Sequence, residues 1–487
     1  MSHRLFSGRR GWMALAVLAL SVAGTARAGY VLLSWNDLGM HCMNKLHANM
    51  SILPPFNNVD AQLIQKGSAG INPVVITGGF SIEYSIPGNT YSVGKTDFWS
   101  YDVPLFGVNL PDNIGLTGKG LTGTLDWNGD HYRADGIPIT PWTDANLVSE
   151  DPYQQAHLEA KNGQGIVVAT SNPVLPVSTE IHCTGSGCHA SENSIINGHE
   201  QEGGFNPNNR PILCARCHAD PALGTNGIAE ARYFSFRMHD THKFIDQSIP
   251  GITGCYKCHP GPQTRCLRGT MNNDHGVICQ DCHGNMATVA NSISQGRVPW
   301  VNEPACRTCH TAQYGEPVGQ LYKLAKGHGG VMCSGCHNST HADFPSREAR
   351  DNANMVALQG HSGILSDCTV CHGVIPSGPG PHGFTPTGVV ETELLTNAEA
   401  LKVSPSPMRS DCRIELVNAG SEEGRLLVFD AQGRTLRMLR SETGSGGTRV
   451  AHWDGADKNG QRVAPGVYFL RWEAGKRTAA AKVVLEK

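Results

Sequence analysis

The sequence lacks an excess of charge of either sign: 39 basic and 42 acidic residues leave a formal charge of -3. No basic field therefore points to nucleic acid, and no polycationic face to an anionic membrane surface. It also lacks any long apolar run beyond its N-terminus. The one run there, Trp12 to Ala23, is too short to span a bilayer. It follows Arg4, Arg9 and Arg10 and precedes Ala26-Arg27-Ala28, the layout of a signal peptide cleaved before Gly29. The expectation is an exported protein with no transmembrane span in its mature form, a single membrane anchor being the alternative. The Arg9-Arg10 pair is compatible with twin-arginine export. What the chain has in excess is glycine and proline, 57 and 28 residues, against roughly one-eighth of an average chain. A fold rich in turns follows. At 487 residues there is room for about three domains.

Seventeen cysteines in an exported protein would ordinarily mean disulfides. Their spacing points elsewhere. Six pairs read Cys-x-x-Cys-His: Cys214-Cys217-His218, Cys255-Cys258-His259, Cys279-Cys282-His283, Cys306-Cys309-His310, Cys333-Cys336-His337 and Cys368-Cys371-His372. A seventh, Cys183-Cys188-His189, has two extra residues between its thiols. Together they use 14 of the 17 cysteines. This is the arrangement of covalent haem attachment: each thiol adds to one vinyl group on one edge of the macrocycle, and the adjoining His supplies a neutral imidazole to the iron. Zinc knuckles also pair cysteines, but they do not demand a His directly after the second one. A thioredoxin-like motif would need a βαβ pattern that surrounds none of the pairs. The expectation is seven covalently bound haem c groups. The motifs fill residues 183–372, roughly 27 residues to each, too few for a conventional aliphatic core. The haems themselves would form the core, close enough to pass electrons.

A six-coordinate haem needs a second axial ligand. Nine His residues outside the motifs are available between residues 182 and 382: His182, His199, His239, His242, His275, His328, His341, His361 and His382. Upstream lie His41, His47, His131 and His157. His275, His328 and His361 stand four, five and seven residues before the next motif cysteine, each beside a glycine, as in an imprecise repeat. In such repeats the preceding His reaches a neighbouring haem. Mostly bis-His ligation is expected. Met238, Met271, Met286 and Met332 are the alternative ligands and would raise the potential.

The fold class reads as mixed. After a signal peptide over 1–28 comes an all-β domain over 29–178, with strand-like runs at Tyr30–Trp35, Pro73–Ile86 and Gly165–Ser171 between Pro, Gly and Asn turns. The loop-rich haem region, its short helices organised by the haems, spans 179–390. A linker over 391–406 leads to a small β-sandwich over 407–487. Cys42, His47 and Met50 have the spacing of a blue-copper ligand loop but lack a His from an upstream strand. Axial ligation of a nearby haem by His41 or His47 is the stronger expectation. Asp126 to Asp130 departs from the EF-hand pattern and reads as a plain turn. Cys42, Cys266 and Cys412 remain, and one disulfide with one free thiol is the simplest expectation for them.

Two resemblances add to this. FDAQGR, WDGADKNG and APGVYFLRW make the C-terminal 80 or so residues similar to the immunoglobulin-like sandwich of flagellar hook-capping proteins and to secreted sorting domains. The seven motifs, the interspersed His residues, the stretch from Cys255 to Met286 and the NDLGMHCM opening together resemble the extracellular multihaem cytochromes of metal-respiring bacteria. The resemblance implies electron transfer toward extracellular acceptors or partner cytochromes, from the outside of the cell or the periplasm, and leaves room for a homo-oligomer or filament. The rival reading is a multihaem oxidoreductase that reduces a small nitrogen or sulfur oxyanion at one open haem. Every motif ends in His and none in Lys, which favours transfer over catalysis.

Overall fold

The computed structural model describes residues 29–486 except 186, 202–204, 262, 385–400, 417–423, 431–434, 445–447 and 475–476. The signal peptide and most of the expected linker lie outside these. The chain forms two compact units, 1–386 and 387–487.

In the first unit, strands β1 (Tyr30–Trp35), β4 (Asn58–Gln65), β9 (Tyr132–Asp135) and β8 (Asp126–Trp127) form one sheet in that order, with β5 (Val74–Val75) also on β4. A second sheet runs β11 (Val167–Ser171), β10 (His157–Asn162), β6 (Phe80–Ser85) and β7 (Thr122–Thr124). Leu32, Val59, Ala61 and Leu63 from the first sheet share a core with Ile82, Tyr84, Leu158 and Ala160 from the second. The region is strand-rich, but it also holds a short helix, Asp102–Phe106, and the single run expected from Pro73 to Ile86 is broken at Ile76–Gly79 into β5 and β6.

The sequence YVLLSW does not alternate because both faces of β1 are covered. Leu32 enters the sandwich core, while Val31, Leu33 and Trp35 pack with Ile64, Met332 and Val370. The last two belong to the motif region. Gln62 fastens the same seam: its amide donates to the carbonyls of Asp130 and Gly330, and its oxygen accepts the N–H of Met332 at 2.9 Å. Two short parallel pairings add to this. They join β2 (His41–Cys42) to β12 (Val177–Ser178), and β3 (Met50–Ser51) to β13 (Ile212–Leu213). The β-rich and motif regions, separate in the sequence reading, thus make one unit.

Beyond residue 181 this unit is built from short helices and loops. The longest among the described residues are Glu192–Gln201, Phe234–His242 and Met286–Ser294. Buried polar contacts brace the loops. Arg268 pairs with Asp351 through two hydrogen bonds, at 2.7 and 3.1 Å. The Glu180 carboxylate gathers the N–H groups of Gly261, Gln263 and Thr264, each at 3.0 Å.

The second unit is a small β-sandwich. Its sheets are β14 (Leu401–Ser404), β15 (Cys412–Leu416), β19 (Arg449–Trp453) and β18 (Glu442–Thr443), and β17 (Thr435–Leu439), β16 (Arg425–Phe429), β20 (Gly466–Ala474) and β21 (Arg477–Leu485). Trp453, Trp472, Val428 and Leu470 fill its core. Strand β14 falls inside the expected linker and pairs with β15, so the sandwich begins earlier than residue 407. Among the described residues no helix is long and apolar enough to cross a membrane.

Candidate ligand site

Each Cys-x-x-Cys-His motif folds as a single helical turn. The N–H of His218, His259, His310 and His372 donates to the carbonyl of the first motif cysteine at 2.9–3.1 Å. Cys279–His283 and Cys333–His337 are helical throughout. One turn brings both thiols and the imidazole to one side of the backbone, as the attachment chemistry requires. In the seventh motif the helix His182–Gly185 ends before Gly187, whose φ of +77° suits glycine and lets the chain turn toward Cys188.

Six of the seven motif imidazoles face a second imidazole. The pairs are His189 with His242 at 6.2 Å between ring centroids, His218 with His199 at 6.1 Å, and His259 with His239 at 6.0 Å. His283 faces His341 at 6.3 Å, His337 faces His382 at 6.1 Å, and His372 faces His328 at 5.8 Å. An imidazole nitrogen sits about 2 Å from a metal it ligates and the ring centroid roughly 1 Å beyond, so two imidazoles across one metal have centroids about 6 Å apart. The pairs fit that spacing.

The far nitrogens fit it too. Nδ1–H of His239 donates to the Ser235 carbonyl at 2.7 Å, that of His242 to Met238 at 2.9 Å, and that of His382 to Gln313 at 3.1 Å. On the motif side, His218 donates to Ala231 at 2.9 Å. Such a bond fixes the tautomer and leaves Nε2 for a metal. Desolvation lowers His259 and His283 to about 4, and neighbouring imidazoles add to the effect. His337 is lowered to about 4 in the same way, with His382 and His310 contributing. These rings are neutral, the form that ligates.

Groups of different motifs lie near one another. Desolvation raises the Cys214 thiol to about 12, and Cys183 adds to it. Cys258 is raised to about 11 by desolvation, with Cys183 and Cys188 beside it. Cys255 and Cys279 share a hydrogen bond. Desolvation raises Cys282, and Cys309 reinforces the shift. His310 lies near His337, and Cys336 near Cys371.

Residues 410–477 match the family described as the FlgD Ig-like domain. No curated protein and no solved structure matches the chain. The matched residues lie in the C-terminal sandwich, in keeping with the immunoglobulin-like reading of that region.

Of the nine expected second ligands, six stand opposite a motif His. His328, expected to reach past its own motif, faces His372 and not His337. His275 and His361 do not behave this way: both are exposed, and the His361 ring bonds the Ser362 carbonyl. The side chain of His182 lies outside the described residues. Among those described, no second imidazole faces His310. His41 and His47 face no motif His either. His41 donates from Nε2 to the Pro54 carbonyl, and His47 pairs with the Ser51 hydroxyl through Nδ1 at 3.0 Å. Among the described residues no cluster of three ligating side chains forms a further metal site, at the Cys42 loop or elsewhere. Asp126 pairs with Lys119 at 2.6 Å and its loop is a turn between β8 and β9. Cys42, Cys266 and Cys412 are free thiols, so the expected disulfide does not form; Cys412 is enclosed in the sandwich core. Missed by sequence reasoning was the contact of Cys266 Sγ with His341 Nδ1 at 3.3 Å. Nothing in the spacing of residues 75 apart announces it.

Proposed function

We propose that the first unit is a multihaem c-type cytochrome of an exported protein, carrying electrons through a row of adjoining haem c sites toward extracellular acceptors or partner cytochromes. The observation that carries this reading is the set of six motif imidazoles, each opposed by a second imidazole at the separation two axial ligands require. When bound, haem supplies a one-electron couple at each site. The chain supplies the rest. Paired thiols anchor each group, one imidazole approaches from the motif and one from elsewhere, and backbone carbonyls hold the far nitrogens. Two strong ligands at a site leave no position for a substrate, which suits transfer over catalysis. The test is the intact mass of the mature protein, which should exceed the polypeptide by seven covalently bound haems, and a low-spin spectrum in both oxidation states. A protein that leaves the cell envelope with zinc and no haem would end this reading.

One observation favours a second reading, a multihaem oxidoreductase acting on a small nitrogen or sulfur oxyanion at an open haem. The longer spacing of Cys183-Cys188-His189 sets that motif apart from the other six, but His242 stands opposite His189. His310 is the motif imidazole that lacks such a partner among the described residues. Rapid binding of carbon monoxide to one reduced haem, abolished by replacing Cys306 and Cys309 with alanine, would support this second reading. No binding would leave electron transfer alone.

A further inference from the structure

Three of the imidazoles opposite a motif His rest on backbone carbonyls. His341 does not. Its Nδ1 meets the sulfur of Cys266 at 3.3 Å, while its ring faces His283. Cys266 belongs to no motif, and the proposed function gives it no task.

The surroundings fix this sulfur in place. The N–H of Cys266 donates to the Pro260 carbonyl at 3.2 Å, and Glu180 gathers the three N–H groups of the same loop. Arg268, two residues on, is locked to Asp351. The N–H groups of Arg268 and Gly269 both donate to the carbonyl of His341, at 2.7 and 3.1 Å. The loop therefore grips His341 by its backbone and meets its ring with a sulfur. On another side the turn at Gly39 closes in. The Asn36 side chain accepts the N–H groups of Leu38 and Gly39, and a Cβ at Gly39 would lie 3.1 Å from His341 Nδ1. Only glycine fits there. The NDLGMHCM segment, dense in soft donors, thus backs onto this imidazole without supplying a metal ligand of its own.

We propose that Cys266 is a positioning residue for His341: it accepts the Nδ1–H of the imidazole serving the Cys279-Cys282-His283 site, and so sets that site's potential apart from its neighbours'. The inference rests on the haem reading above. A bond from Nδ1–H to sulfur leaves Nε2 directed at His283, the tautomer ligation needs. The acceptor at the far nitrogen governs how strongly an imidazole donates to its metal, so changing one acceptor among seven sites should change one site.

The experiment uses the full-length holoprotein with Cys266→Ala and Cys266→Ser. Intact mass is measured first, then electron paramagnetic resonance of the oxidised protein and a spectroelectrochemical titration. In Cys266→Ala the imidazole has no sulfur acceptor and donates less. One low-spin signal should shift its g values, and one component of the titration should move to higher potential, the others staying in place. Cys266→Ser restores an acceptor of another kind, so the same signal should move less and the component return toward its original position. Should the alanine variant fail to fold, the serine variant still decides, since exchanging sulfur for oxygen must move that one signal. Spectra and potentials superimposable on the parent in the folded variants, with seven haems attached, would overturn the role of Cys266. A parent protein with no haem on Cys279 and Cys282 would instead overturn the haem reading itself.

Discussion

His41 and His47, which pack against Phe56 and Phe98, show what enclosure does to an imidazole that has no second imidazole opposite it. Both are buried, and desolvation lowers each from 6.5 to about 4. The unfolded chain therefore binds protons between pH 6.5 and 4 that the folded chain refuses. Stability is fully present above pH 6.5 and falls as the pH drops through that window, by on the order of 3 kcal/mol per group. Urea unfolding followed by circular dichroism should show a lower midpoint at pH 4.5 than at pH 7, with a smaller drop in His47→Gln. An equal drop in that variant would refute the assignment. On the haem reading proposed above, the paired imidazoles make a different prediction. His242→Ala should convert one haem to high spin, whereas His275→Ala and His361→Ala should leave all haems as they were, read by the absorption spectrum. The motif residues were legible because their chemistry is local. The candidate partners were legible as a set, but which one faces which motif was not, because His341 reaches His283 through tertiary folding and the neighbouring sequence carries no trace of it.

At the scale of elements, the helix Phe234–His242 matters most. His239 and His242 lie three residues apart on one side of it, and each bonds the carbonyl four residues before it. They serve two different motifs, His259 and His189. Phe236 secures the helix against Ala290 and Ile293 of Met286–Ser294. Phe236→Ala should cost about 3–5 kcal/mol, and it should loosen both ligands together. Two low-spin signals should broaden while the site of His328 and His372 keeps its own; a loss confined to one signal would contradict the shared helix. Strand legibility followed side-chain type. YVLLSW announced itself through branched and aromatic residues. Strand β21, RTAAAKVVL, did not, since its alanines favour a helix and only pairing along all nine residues of β20 overrides them.

For the whole molecule, the chain divides into two compact units where the sequence reading set out three regions. The β-rich N-terminal region is not free of the motif region, because β1 is buried between two cores. The C-terminal sandwich is a separate unit, as expected, but it takes in β14. A truncation at 407 would strand Leu401–Ser404 without its partner strand. Removal of residues 387–487 is the cleaner cut, and it should leave the haem count and spectrum of the first unit unchanged. Loss of haem on this truncation would show that the sandwich helps to build the sites.

On the proposed reading as an exported haem protein, the imidazole pairs also impose a timetable. A chain delivered N-terminus first completes His199 with His218 before any other pair, although Cys183-Cys188-His189 precedes it. That earlier motif waits for His242. His283 must remain half-served until His341 emerges, and His337 until His382, after the pair of His328 and His372 has closed. Maturation therefore cannot follow the order of the motifs. It proceeds by deferred completion, and the final ligand arrives just ahead of the C-terminal unit, so every pair has been delivered before that unit has a strand to fold.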